Sequence, residues 1–106
     1  MNRYTFLKRL PKVSLHVHLV GTVQPSTLVE LASKNGVALP KYREPADLYD
    51  YPDIYQFLKM LDLVMASVRD RVDLHRITYE TLHQAAEHGG RHREMFWNPT
   101  THTAYR

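Results

Sequence analysis

The chain has 106 residues, of which 43% are hydrophobic and 24% charged, a composition typical of one globular domain and not of a disordered or fibrous protein. Cysteine is absent, which excludes disulfides, thiolate metal sites and cysteine nucleophiles. The net charge is +3, but acidic and basic residues are interspersed, so we expect no nucleic-acid partner. A small basic module that binds an acidic partner is kept as an alternative.

The N-terminal residues 1–12 are basic, and their apolar positions are too sparse for a signal peptide or a membrane span. We therefore expect no association with a membrane and a cytoplasmic location. A short basic helix is predicted over residues 4–10.

The next segment, residues 12–20, alternates with the period of two that is typical of a β-strand. One face of this predicted strand is apolar and comprises Val13, Leu15, Val17 and Leu19. The other face carries Ser14, His16, His18 and Val20. Gly21 is expected to end the strand in a turn.

Apolar residues at helical spacing predict three helices after this strand, over residues 25–35, 53–69 and 72–88. The stretch 37–51 lacks periodicity and is predicted to be a long surface connection. The inward positions predicted for the last helix are Leu74, Ile77, Thr78, Leu82, Ala85 and Ala86. A second alternating strand follows from residue 91 and is stopped by Pro99, and helical crossovers predict that the two strands are parallel.

His16 and His18 lie two residues apart near the end of the first strand, so both imidazoles project from the same face. Two neutral imidazoles suit Zn²⁺ and, less selectively, Fe²⁺ or Co²⁺. Loops at the carboxyl ends of parallel strands commonly form active sites, which favours half of a metal site here. The alternative is two ordinary polar positions on a solvated strand face.

These residues also carry a resemblance to a known family. The segment LPKVSLHVHLVG (10–21), followed by PSTL (25–28), resembles the opening of the metal-dependent adenosine deaminases of the amidohydrolase superfamily. The likeness continues in order through NGVALP (35–40), FLKMLDLV (57–64) and GRHREMFWNP (90–99), and so spans nearly the whole chain.

The resemblance implies an α/β fold, the N-terminal part of a (β/α)₈ TIM barrel in which residues 1–106 supply two of the eight parallel strands with their inserted helices. It identifies His16 and His18 as ligands of zinc or another divalent metal. The implied reaction is hydrolytic deamination of adenosine or a related small-molecule purine, by attack of water at C6 with release of ammonia. The remaining ligands and the acid/base residues of the family have no counterpart among these 106 residues, so the alternative is a noncatalytic truncated remnant.

The resemblance further implies substrate contacts at His18, Gly21, Phe57, Leu58 and Leu61. The last three match a hydrophobic wall over the nucleoside, although their spacing is equally that of an ordinary helix core. Two positions depart from the family pattern. Val20 replaces an aspartate that contacts the sugar, and Ser14 replaces a glutamate.

The other histidines are expected to matter less. His75, His83 and His88 are predicted surface positions on the last helix, and His92 alternates with Glu94 on the second strand. Glu94 is expected to be a structural partner for an arginine. The seventh histidine, His102, is expected in a tail beyond the second strand, with a possible approach to the same pocket.

Overall fold

The computed structural model describes residues 1–103 of the chain. Their elements follow one another as helix α1 (Arg3–Arg9), strand β1 (Lys12–His18), α2 (Pro25–Asn35), α3 (Ile54–Ser67), α4 (Arg71–Glu87), β2 (Gly90–Phe96) and the short α5 (Thr100–Thr103). Two 3₁₀ turns lie at Leu19–Thr22 and Pro45–Tyr49. The predicted order of strand, three helices and strand is confirmed. No helix in the described part of the chain is long and apolar enough to span a membrane.

The two strands pair in parallel, as predicted, and their carboxyl ends meet where His18 lies opposite Phe96. The register shifts twice, once between Lys12 and Val13 and again between Ser14 and Val17. The second shift places an extra residue in β1 between Ser14 and Val17, a stretch that includes His16. Such irregularities re-aim side chains and are common beside functional sites.

Helix α2 begins and ends, and helix α3 begins, at residues that are favoured at helix ends. Pro25 occupies the first turn of α2, where a missing N–H costs nothing, and Gly36 ends that helix in the left-handed region with φ of 70°. The Asp53 carboxylate accepts a hydrogen bond from the backbone N–H of Gln56 at 2.9 Å and so caps α3. These local signals explain why the helix starts could be read from the sequence.

The hydrophobic core lies between α2, α3, α4 and the turn that follows β1. Its fully buried members are Leu19, Val23, Leu28, Leu31, Leu48, Met60, Val64, Val68 and Ile77. Leu19 brings the carboxyl end of β1 into this core, so the position of the strand end is fixed by helix packing.

Element ends differ from prediction by one or two residues. Strand β1 ends at His18, and the chain then turns at Leu19–Thr22, because Leu19 must enter the core. Helix α3 ends at Ser67, because the N–H of Arg69 donates to the buried Asp73 carboxylate at 3.1 Å instead of continuing the helix. Strand β2 similarly ends at Phe96, three residues before Pro99.

The connection over residues 37–51 is not wholly a surface loop, which corrects the prediction. Leu48 is buried, and the hydroxyl of Tyr49 donates to the Val23 carbonyl at 2.7 Å. Burial raises the pKa of Tyr49, and the neighbouring Tyr51 adds to this effect. The connection is therefore tied to the core at its second half.

Several apolar positions are exposed, among them Leu82 and Ala86, which were predicted to face inward. Val13 and Leu15 in β1 are 62% and 61% exposed, and Leu82 in α4 is 44% exposed. Ala86 is exposed as well. The inward positions predicted for Leu82 and Ala86 are therefore wrong, and Val13 and Leu15 are largely uncovered within residues 1–103.

Candidate functional site

A cleft of about 820 Å³ opens at the carboxyl ends of the two strands, beside α3. Its walls come from β1 and the following turn, from α3, and from the end of β2 with the residues after it. The lining residues are His16, Val17, His18, Val20, Gly21, Thr22, Phe57, Leu61, Met65, Phe96, Trp97, Asn98 and Thr101. The cleft is predominantly apolar with a few polar groups, as small-molecule sites generally are.

The two histidines of β1 converge in this cleft. The Nε2 atoms of His16 and His18 are 3.2 Å apart, and their ring centroids are separated by 5.1 Å. Two nitrogens bound to one tetrahedral zinc at about 2.0–2.1 Å would lie roughly 3.3 Å apart. The observed spacing therefore fits two ligands of one metal ion, and it fits equally an N–H···N hydrogen bond between the two rings.

Phe96 packs against both imidazoles from the neighbouring strand. Its ring centroid is 4.3 Å from that of His16 and 5.7 Å from that of His18, with interplanar angles of 35° and 34°. The parallel register, which sets His18 opposite Phe96, produces this contact. One side of the histidine pair is thus covered by an aromatic ring.

The residues with predicted substrate contacts fall into two groups. His18, Gly21, Phe57 and Leu61 line the cleft, whereas Leu58 is 48% exposed and is not part of its lining. One helical position separates Phe57 from Leu58, a rotation of about 100° that turns Leu58 away.

Phe57 is held by an aromatic neighbour outside the helix. Its ring meets that of Tyr51 edge to face, with centroids 5.3 Å apart and an interplanar angle of 84°. Burial raises the pKa of Tyr51. The end of the 37–51 connection therefore supports the α3 wall of the cleft.

The sequence analysis did not single out seven residues of the lining as site positions: Val17, Thr22, Met65, Phe96, Thr101, Trp97 and Asn98. Trp97 and Asn98 follow β2 directly, at the carboxyl ends of the strands, where sites form in parallel folds. This position in the sequence could have identified them as site residues. Thr101 lines the cleft from α5. The segment after β2 thus contributes three residues to the lining of the cleft.

None of the other five histidines lines the cleft. His75, His83 and His88 are exposed on or after α4, as predicted. His92 lies 2.9 Å from Glu94, so the partner of this carboxylate is a histidine and not the predicted arginine.

His102 differs most from its prediction. It is buried in α5 and not in a tail, and its Nδ1–H donates to the Val68 carbonyl at 2.9 Å. It does not line the cleft, although the adjacent Thr101 does. This hydrogen bond connects the segment after β2 to the residue that follows α3.

The described residues do not contain a complete metal site. Within residues 1–103 no group of three or more His, Cys, Asp or Glu side chains could hold a metal ion. The described lining of the cleft likewise contains no carboxylate. Any further ligand, and any carboxylate that moves a proton, must come from other residues.

Comparison with known proteins places the chain in context. The family model described as Adenosine deaminase matches residues 11–105. The adenine deaminase of Streptomyces coelicolor is 38% identical over 103 residues, which cover 95% of this chain and 30% of that protein. The adenine deaminase of Bordetella parapertussis is 37% identical over 102 residues, which cover 94% of this chain and 32% of that protein.

Solved structures agree. The crystal structure of adenine deaminase from Arthrobacter aurescens matches with a TM-score of 0.75 and 34% identity, over 89% of this chain and 29% of that one. An amidohydrolase from Burkhoderia ambifaria with bound Zn matches with a TM-score of 0.79 and 34% identity, over 99% of this chain and 30% of that one.

The chain spans about a third of the length of the relatives it matches. Its two parallel strands and their helices are the N-terminal part of a (β/α)₈ barrel, as the sequence resemblance implied. The family match, which extends over most of the chain, decides the assignment: the chain belongs to the adenosine deaminase family of the amidohydrolase superfamily.

Proposed function

We propose that residues 1–106 form the N-terminal portion of a barrel domain that deaminates a purine hydrolytically, and that His16 and His18 are its first two metal ligands. The observation that carries this proposal is the 3.2 Å separation of their Nε2 atoms within the cleft. The zinc bound to the similar amidohydrolase supports zinc as the ion. A divalent metal there would lower the pKa of water to about 7 and so supply hydroxide at neutral pH.

The side chains of this portion orient the substrate and exclude water. Phe57, Leu61 and Met65 give the cleft an apolar wall against which a flat purine ring can pack. In the proposed reaction, water adds at C6 of a 6-aminopurine, the C–N bond to the amino group breaks, and ammonia leaves. We expect His18 at the end of β1 and Gly21 in the turn, which both line the cleft, to contact the purine.

Among 6-aminopurines we favour the free base over the nucleoside. Val20 lines the cleft where the family pattern has an aspartate that contacts the sugar, and a valine side chain cannot accept a hydrogen bond. The curated relatives are named adenine deaminases, which supports the same choice. The proposed substrate is therefore adenine or a close analogue without ribose.

A zinc titration tests the metal site. We expect the purified chain to bind about one zinc ion, followed by calorimetry, and His16→Ala or His18→Ala to weaken binding at least about tenfold. His75→Ala is the matched control, because this histidine is exposed on α4 outside the cleft. Zinc affinity unchanged in both cleft variants would refute the proposed ligands.

The substrate is tested in a chimera in which these 106 residues replace the matching third of the S. coelicolor relative. Ammonia release is expected from adenine and much less from adenosine, and Val20→Asp is expected to shift the preference toward adenosine. A chimera that retains zinc but deaminates neither purine would favour the noncatalytic alternative.

A further inference from the structure

The histidine pair has few contacts that could fix its geometry. Within residues 1–103, the imidazoles of His16 and His18 hydrogen-bond to each other and to no other group. Both residues are exposed. Metal-binding histidines usually owe their ring orientation to a hydrogen bond from the second ring nitrogen, and the described residues provide no such partner here.

The imidazoles are instead both in contact with one aromatic ring, that of Phe96. Phe96 lies 4.3 Å from the His16 ring and 5.7 Å from the His18 ring, at nearly equal interplanar angles of 35° and 34°. One side chain therefore limits the rotation of both imidazoles. A smaller aliphatic side chain at this position would leave both rings free to rotate into the open cleft.

The position of Phe96 is itself fixed by the backbone. It is the last residue of β2, and the parallel ladder sets it opposite His18. Its neighbour Met95 is half-buried and packs against the hydrophobic core, which anchors the end of the strand. Strand pairing and core packing thus place the backbone of Phe96 beside the histidines, and its 48% exposed ring contacts both imidazoles.

We infer that Phe96 is a positioning residue, which holds the imidazoles of His16 and His18 at the separation needed to bind one metal ion. This inference rests on the proposed metal site. The role differs from that of Phe57 and Leu61, which line the cleft from α3. Phe96 acts on the ligands, by restricting the rotamers that compete with the chelating arrangement.

The experiment is a zinc titration of the 106-residue chain and four variants. Phe96→Leu removes the ring but keeps an apolar side chain, and we expect zinc affinity to fall about tenfold. Phe96→Tyr keeps the ring and is expected to restore affinity to within about twofold. Phe6→Leu is the matched control, since Phe6 is 55% exposed in α1 and lies outside the cleft, and it is expected to leave affinity unchanged.

His16→Ala, the fourth variant, separates the possible failures. If His16→Ala weakens zinc binding and Phe96→Leu does not, the metal site stands and the positioning role is refuted. If His16→Ala has no effect, the proposed metal site fails and the positioning role fails with it.

Circular dichroism of each variant reports whether the fold is kept. Should Phe96→Leu unfold, Phe96→Tyr decides: affinity near that of the unmodified chain supports the ring contact, and a tenfold loss in a folded Phe96→Tyr overturns it.

Discussion

At the scale of single residues, the buried Asp73 carboxylate accepts hydrogen bonds from α2 and from the junction of α3 with α4. It is 1% exposed and accepts hydrogen bonds from Lys34 Nζ at 2.6 Å, from the Asn35 side-chain amide at 2.9 Å and from the Arg69 backbone at 3.1 Å. These donors come from the end of α2 and from the junction of α3 with α4. Asp73 also completes a reciprocal cap with Asp70 at the start of α4.

The charge state of Asp73 follows from this environment. Burial alone would raise the pKa of Asp73, but the hydrogen bonds from Lys34, Arg69 and Asn35 outweigh it and lower the pKa below its usual 3.8. A carboxyl group with a lowered pKa in the folded state stabilises the protein above its pKa in the unfolded chain. That stability is lost as the pH falls through the lower, folded value.

The first prediction compares Asp73→Asn with the unmodified chain in urea unfolding. At pH 7 we expect a loss of about 2 kcal/mol in the free energy of unfolding, since an amide cannot replace the buried charged acceptor. As the pH falls below 3.8, protonation of Asp73 should make the two proteins converge. Asp62→Asn, at an exposed position on α3, serves as control, and a difference independent of pH would contradict the ionic role.

At the scale of elements, hydrogen bonds from Lys12 connect the start of β1 to the junction of α4 with β2. The Lys12 ammonium donates to the carbonyl of Leu10 at 3.0 Å and to that of His88 at 2.5 Å, and also to Leu7. The Lys12 backbone N–H donates to the Gly89 carbonyl at 2.9 Å. A cation at the ends of two helices satisfies carbonyls that the helices leave unpaired.

This packing leaves no room for a side chain at Gly89. Its φ is +80°, and a Cβ atom there would lie 2.5 Å from the Leu10 carbonyl oxygen and 2.8 Å from that of Lys8. Gly36 has a similar φ of +70° but no atom within 4 Å of the corresponding position. A substitution at Gly36 therefore tests backbone strain alone, and a substitution at Gly89 tests strain together with a steric clash.

The second prediction uses that pair. Gly36→Ala should cost about 1 kcal/mol of unfolding free energy, from the left-handed conformation alone. Gly89→Ala should cost about 3 kcal/mol, because the steric clash with backbone atoms adds to the strain. Thermal or urea unfolding measures both. Equal losses would contradict the steric clash expected for a Cβ at Gly89.

At the scale of the whole molecule, the exposed apolar face of β1 reflects an open sheet. The described residues form two strands, so each strand has one edge without a neighbouring strand among residues 1–103. Val13 and Leu15 add an uncovered apolar surface beside one of those edges. Such edges and surfaces promote pairing with other chains.

The third prediction is that the 106-residue chain self-associates with rising concentration. Leu15→Lys places a charge on the open face of β1 and should raise the monomer fraction measured by sedimentation. Tyr55→Lys, at a 72% exposed position on α3, is the control and should leave the association unchanged. A chain that stays monomeric at about 100 µM would contradict the prediction.

The sequence by itself determined the order of strand, three helices and strand, the parallel pairing of the strands, the α2 bounds and the placement of His16 and His18 on one face, but not α5 or the two 3₁₀ turns. These features follow from local rules, because side-chain period, capping residues and strand alternation act over a few neighbouring positions. The family resemblance rested on the same local motifs. It was right because the motifs occur in order along nearly the whole chain.

Only the tertiary structure decided which residues meet across elements. In the folded chain Leu58 lies outside the cleft, and Phe96 contacts the rings of both histidines. His102 is buried and hydrogen-bonds to Val68, and the Asp73 carboxylate accepts several hydrogen bonds. The tertiary structure also exposed Leu82, which the helical pattern predicted to face inward. The physical reason is the same throughout: burial and contact depend on elements distant in sequence, and a local pattern reports a face but not what packs against it.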